Sequence, residues 1–183
     1  MFDTLTPLGL VHFLVLVALL SAAVVTDIRD RRIPNRITVS GIVLGLLLGA
    51  ILEGGIPASA LGGVLVALLV TVPLYALGGI GAGDAKLLAA VGAFVGPGGL
   101  LAVFIYGGLA GGVLALAQAA ARGDLLRLLK NTRDLLIFWV TLGIRGRRLA
   151  LDDPEAHSVP YGVAIAAGAV LAILFPVSLG TMV

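Results

Sequence analysis

Six apolar stretches, at about 8–26, 36–52, 58–78, 84–96, 99–121 and 159–179, take up most of a chain of 183 residues. A helix needs ~20 mostly apolar residues to cross the ~30 Å hydrocarbon core of a bilayer, and every backbone polar group there must be satisfied internally. The fourth stretch is short for a full crossing. Composition points the same way: 60% of residues are hydrophobic and 12% charged, against ~45–50% apolar in soluble domains. The expected fold class is therefore an all-α integral membrane protein of about six transmembrane helices. Too little chain is left for a separate soluble domain, so residues 1–183 are expected to form a single domain. There is no cysteine, which excludes disulfides, cysteine-ligated zinc and a thiol nucleophile.

The charges fix an orientation. Arg29, Arg31, Arg32 and Arg36 follow the first stretch, Lys86 opens the fourth, and Arg122, Arg127, Lys130, Arg133, Arg145, Arg147 and Arg148 lie between the fifth and sixth. With six crossings and the N-terminus outside, all of these fall on one side, and basic residues mark the cytoplasmic face. The other face keeps only Asp3 and Glu53. The basic cluster follows the first apolar run rather than preceding it, which reads as a retained span and not a secretory signal. The expected location is the cytoplasmic (inner) membrane, multi-pass. Between the fifth and sixth stretches, residues 124–142 set Arg127, Lys130 and Arg133 at three-residue spacing among leucines, with Trp139 near the end. That is the pattern of an amphipathic helix lying in the interface. Glycines at 41, 45 and 49, and the pairs Gly107/Gly111 and Gly108/Gly112, read as faces where helix backbones approach closely.

An ionisable side chain at the edge of hydrocarbon is costly and is a functional candidate by default. Asp27 and Asp84 are far apart in sequence, yet the topology brings both to the cytoplasmic edge. Each also has a plainer reading: Asp84 as the N-cap of the fourth span, Asp27 as part of a charged loop. Pro34 suits a helix start and Asn35 can cap the second span. Lys86 either favours ionised carboxylates nearby or extends to the interface. His157 has no partner at ligand spacing, and no metal or cofactor is implied. Tyr161 either donates a hydrogen bond near the carboxylates or anchors in the headgroup region.

Three motifs, taken together, go further. "DIRDRRIPN" (27–35) is an aspartate, five residues, then Ile-Pro-Asn; "GAGDAK" (81–86) contains Gly-x-Gly-Asp; and "VPYGVAIAAG" (159–168) opens the last stretch. In this order they resemble the prepilin peptidases, GxGD-type aspartyl membrane proteases. The resemblance implies Asp27 and Asp84 as the catalytic pair, with Gly81, Gly83, Lys86, Pro34, Asn35, Pro160 and Tyr161 around them. Asp30 misses the spacing to Ile33. The implied activity is removal of the short basic leader of type IV prepilins or pseudopilins at the cytoplasmic face, with lipid but no nucleic acid as partner. Larger members carry a cysteine-bearing insertion and N-methylate their product. This chain has neither cysteines nor that insertion, so it is similar to the short stand-alone forms serving Flp-type tight-adherence pili, and no N-methyltransferase activity is expected. Chemically, two adjacent carboxylates share a proton and so provide an acid and a base together. A small ion-coupled transporter using the two aspartates, or a non-catalytic pilus assembly subunit, are the competing readings.

Overall fold

The computed structural model describes residues 6–140 and 161–175, and every regular element among them is helical. Helix α1 (Pro7–Asp30) starts where Thr6 accepts a hydrogen bond from the Gly9 N–H and Pro7 takes the first position, where its missing N–H costs nothing. It ends at Arg31, which adopts a left-handed conformation (φ 52°) and donates its N–H to the Asp27 carbonyl. Helix α2 (Asn35–Glu53) and helix α3 (Ala58–Ala76) follow, joined by a short turn in which the Glu53 carboxylate accepts from the Ala58 N–H at 2.8 Å and the Ser59 N–H at 3.2 Å. That bidentate contact satisfies two of the donors that a helix start leaves open. At its far end α3 closes in a Schellman motif: Gly79 donates to the Leu74 carbonyl and Gly78, with φ 74°, to that of Tyr75.

Helix α4 (Ala82–Arg122) joins the fourth and fifth apolar stretches, which the sequence separates at "GPGG". The break between them is one residue: Gly96, at φ 67° and ψ −178°, interrupts the helix, and Pro97 starts the second arm. Only glycine adopts that conformation without strain, and proline suits a first turn. The first arm, before Gly96, rises about 21 Å at ~1.5 Å per residue, short of the ~30 Å hydrocarbon thickness. Among the described residues it is also the most enclosed segment, with Leu87, Ala89, Ala90 and Val91 fully buried. Helix α5 (Leu125–Val140) carries the amphipathic pattern, and α6 (Tyr161–Leu174) completes the described chain. Four helices, α1 to α4, are long and apolar enough to cross a membrane by length and composition; α6 is shorter.

Small residues set the packing, because lipid removes the hydrophobic drive between helices and leaves close contact as the main attraction. Gly41 and Gly45 of α2 lie against Leu19 of α1 and against Ala90, Ala93 and Phe94 of α4, while Gly49 meets Pro57 and Ala60. Gly63 of α3 faces Gly92 of α4 backbone to backbone, with no room for a side chain on either. In the second arm Gly107 and Gly111 pack on α6 at Ala164, Gly168 and Tyr161. The expectation for the other pair is corrected: Gly108 and Gly112 face open space, since only one stripe of a helix can meet one neighbour.

These contacts give directions. Residue 12 of α1 meets residue 94 of α4, and α3 meets α4 in falling order at 63 against 92 and 59 against 96, so both run against the first arm. The second arm meets α6 in opposite order, 107 with 164 and 168, 111 with 161 and 164. The start of α6 in turn touches Asp27. The end of α1, the starts of α2, α4 and α6, and the Gly78 turn therefore gather at one end of the bundle.

Candidate active site

Asp27 stands in the last turn of α1, yet it is buried, whereas Asp30 one turn later is exposed. Residues three apart lie on nearly the same helix face, so the difference is one of position along the axis: Asp30 is the last residue of α1. The Asp27 Oδ2 accepts a buried hydrogen bond of 2.8 Å from the Gly162 N–H, 135 residues away in the chain. A buried polar group needs such a partner.

Asp84 reaches the same place from α4. It is not the N-cap of that helix, as the sequence allows; Gly81 is, and Asp84 is the third helical residue. Its carboxylate folds back to accept from the Gly81 N–H, one half of a capping box. Gly81 leaves room for this, since a Cβ there would lie 2.9 Å from the Asp84 Oδ2. In that position the Asp84 carboxyl is within electrostatic reach of Asp27, and Tyr161 within reach of Asp84.

The Ile-Pro-Asn segment is docked onto the Gly-x-Gly-Asp segment. Ile33 is buried, and a Cβ on Gly83 would sit 3.4 Å from the Ile33 Cβ and 3.6 Å from its backbone N and O, ordinary contact with no space to spare. Pro34 takes the N-cap position of α2, its carbonyl accepting from Ile37. Asn35 therefore does not cap α2. Its side-chain oxygen instead accepts from the Lys86 ammonium at 2.9 Å, tying α2 to α4 at the exposed rim. Among the described residues, the Lys86 ammonium thus bonds an amide. Tyr161 is partly exposed and packs its ring edge toward Gly111. Pro160 and His157 lie outside the described residues.

Gly162 is the residue that reading the sequence overlooked. It stands in the Pro-Tyr-Gly motif beside two candidates, but a glycine in a glycine-rich helix carries no visible mark of a backbone contact. Among the described residues, no group of three or more His, Asp or Glu side chains could hold a metal ion.

A bundle of apolar helices with two carboxylates gathered at one end defines a helical membrane protein with a candidate acid–base pair. The sequence pattern of the type IV leader peptidase family matches residues 14–116, more than half of the chain, and the protein belongs to that family. The match includes both Asp27 and Asp84 and ends before α6. No curated protein and no solved structure matches the chain.

Proposed function

We propose that this protein is an aspartyl endopeptidase that removes the leader of type IV prepilin-like proteins, with Asp27 and Asp84 as its catalytic pair. The observation that carries the reading is the convergence of two carboxylates, one from the end of α1 and one from the start of α4, into electrostatic reach of each other. Family membership supports a leader peptidase in general.

The chemistry requires only the pair and a water. One carboxylate, ionised, takes a proton from water as the oxygen attacks the scissile carbonyl carbon. The other, protonated, gives its proton to the carbonyl oxygen, forming a neutral gem-diol. Collapse of that species moves a proton to the amide nitrogen, breaks the C–N bond and returns the pair to its starting state. A positioned acid or base contributes about 10²–10⁴-fold each. Tyr161, within electrostatic reach of Asp84, is assigned a supporting role in the same reading.

The arrangement in the membrane belongs to the same reading. Six crossings, with the two arms of α4 counted separately and the N-terminus outside, put the aspartates at the cytoplasmic face, with α5 in the interface. A substrate with a basic cytoplasmic leader followed by an apolar helix presents its scissile bond at that depth. The stand-alone form favours Flp-like substrates, without N-methylation of the product.

The test is to express Asp27→Asn and Asp84→Asn separately beside a tagged Flp-type prepilin and follow leader removal in membranes. Each variant should insert normally and lose processing by at least about 10²-fold. Processing that persists in either variant removes that aspartate from the mechanism.

A further inference from the structure

We propose that Gly162 is the positioning residue of the carboxylate pair: its N–H and its lack of a side chain together set where the Asp27 carboxylate stands. The proposal rests on the catalytic reading of Asp27 and adds to it a role for the last helix, which lies outside the part of the chain that the family pattern covers.

Two independent features converge at this one position. The first is the donor: the Gly162 N–H to Asp27 Oδ2 bond, at 2.8 Å, is buried. A bond from a fixed backbone donor to a carboxylate sets the distance and direction of the acceptor oxygen. The second is space. A Cβ on residue 162 would lie 2.8 Å from the Asp27 Oδ2 and 3.2 Å from both its Cγ and its Cβ. Any side chain would therefore push the whole aspartate, not just its tip. Helix α6 cannot itself shift to relieve this, because a Cβ on Gly168 would already meet Gly107 N at 2.5 Å and Gly107 Cα at 2.6 Å. Contact between α6 and the second arm of α4 thus holds Gly162 in register, and Gly162 holds Asp27.

A purely structural account is that Asp27 closes the open start of α6, as any carboxylate could. The two accounts differ in which constant moves: if Gly162 positions a catalytic carboxylate, removing the N–H lowers kcat and leaves KM unchanged, whereas a capping role alone shows as loss of inserted, folded protein. The titratable and charged groups around this end of α1 are Asp84 and Lys86 of α4, Tyr161 of α6 and Arg36 of α2, with Arg29 and Asp30 on α1 and Arg31 and Arg32 directly after it. The variants below leave all eight in place.

The experiment uses the full chain made by cell-free translation into liposomes, with glycolic acid in place of Gly162, so that the N–H becomes an ester oxygen and nothing is added to the side. Its substrate is a tagged Flp-type prepilin that the unmodified protein cuts. The ester chain should insert to the same extent, lose at least about tenfold in kcat, the size expected for one donor to a charged group, and keep KM within about twofold. Gly162→Ala, made conventionally, should lose at least tenfold as well, by displacement. An inserted ester chain with unmodified kcat, or with only KM changed, overturns the proposal. The same series separates it from the reading it rests on: an inactive Asp27→Asn beside an unimpaired ester chain removes the positioning role alone, whereas cleavage surviving Asp27→Asn removes the catalytic assignment and the proposal with it.

Discussion

Gly81 shows how a site can depend on an atom that is missing. Asp84 reaches back over it to the helix start, and a methyl group at 81 would meet the carboxylate at 2.9 Å. Gly81→Ala is therefore expected to turn Asp84 away from Asp27 while leaving the helix intact, because residue 81 already has an extended backbone (φ −74°, ψ 149°) that alanine adopts without strain, and the flexible carboxylate is what yields. Leader cleavage should fall at least tenfold with unchanged thermal unfolding in detergent; equal losses of both would mean that the substitution disturbs folding instead. Lys86 makes the opposite case. Its bond to Asn35 lies at the exposed rim, where a single polar contact contributes at most about 1 kcal/mol. Lys86→Met should lower activity no more than about fivefold, and a loss as deep as that of Asp84→Asn would show that its charge enters the chemistry.

Among the helices, the contacts that cannot yield are those between backbones. At the crossing of α3 and α4, Gly63 and Gly92 leave no gap for a Cβ. Ordinary overpacking costs about 1–3 kcal/mol, and here no side chain can move aside, so Gly63→Val should prevent accumulation of the folded protein in membranes. Gly112→Ala is the control, since nothing lies within 4 Å of that position; replacing a helical glycine there should be neutral or stabilise by up to about 1 kcal/mol. The first arm of α4 has a further support at its buried end, where the His12 Nε2 lies 3.0 Å from the Phe94 carbonyl and its ring meets Phe94 edge-on. The Gly96 break leaves carbonyls of that last turn without helical partners. His12→Leu should cost about 1–3 kcal/mol, the penalty for a buried acceptor left unsatisfied, read as a lower unfolding temperature with the cleavage site unchanged.

Across the molecule, the end that holds the aspartates is also the end near which the basic residues of the first loop lie, and this sets the orientation to be tested. The chain contains no cysteine, so single substitutions report cleanly. Arg32→Cys, beside the site, should react with an impermeant maleimide only in inside-out vesicles. Gly55→Cys, in the open turn between α2 and α3, should react only in right-side-out ones. The reverse pattern would place the aspartates outside and remove access to a cytoplasmic leader.

What the sequence determined by itself was whatever depends on averages over many residues or on local rules. Hydropathy over some twenty positions identifies helices suited to lipid; Gly-Pro at 96–97 marks a break; the amphipathic run after residue 124 gives α5; and the alternation of apolar stretches and basic clusters leads to the expectation of Asp27 and Asp84 at one depth. Tertiary structure decided what depends on a single rotation or a single ångström. The glycine stripe that packs is 107 and 111, not 108 and 112, because only the partner helix selects a face. Asn35 binds Lys86 instead of its own helix, and Gly81 rather than Asp84 begins α4. The hold of Gly162 on Asp27 left no trace in residue type, since its donor is a backbone N–H that almost every residue carries and only the packing of α6 aims it at a carboxylate.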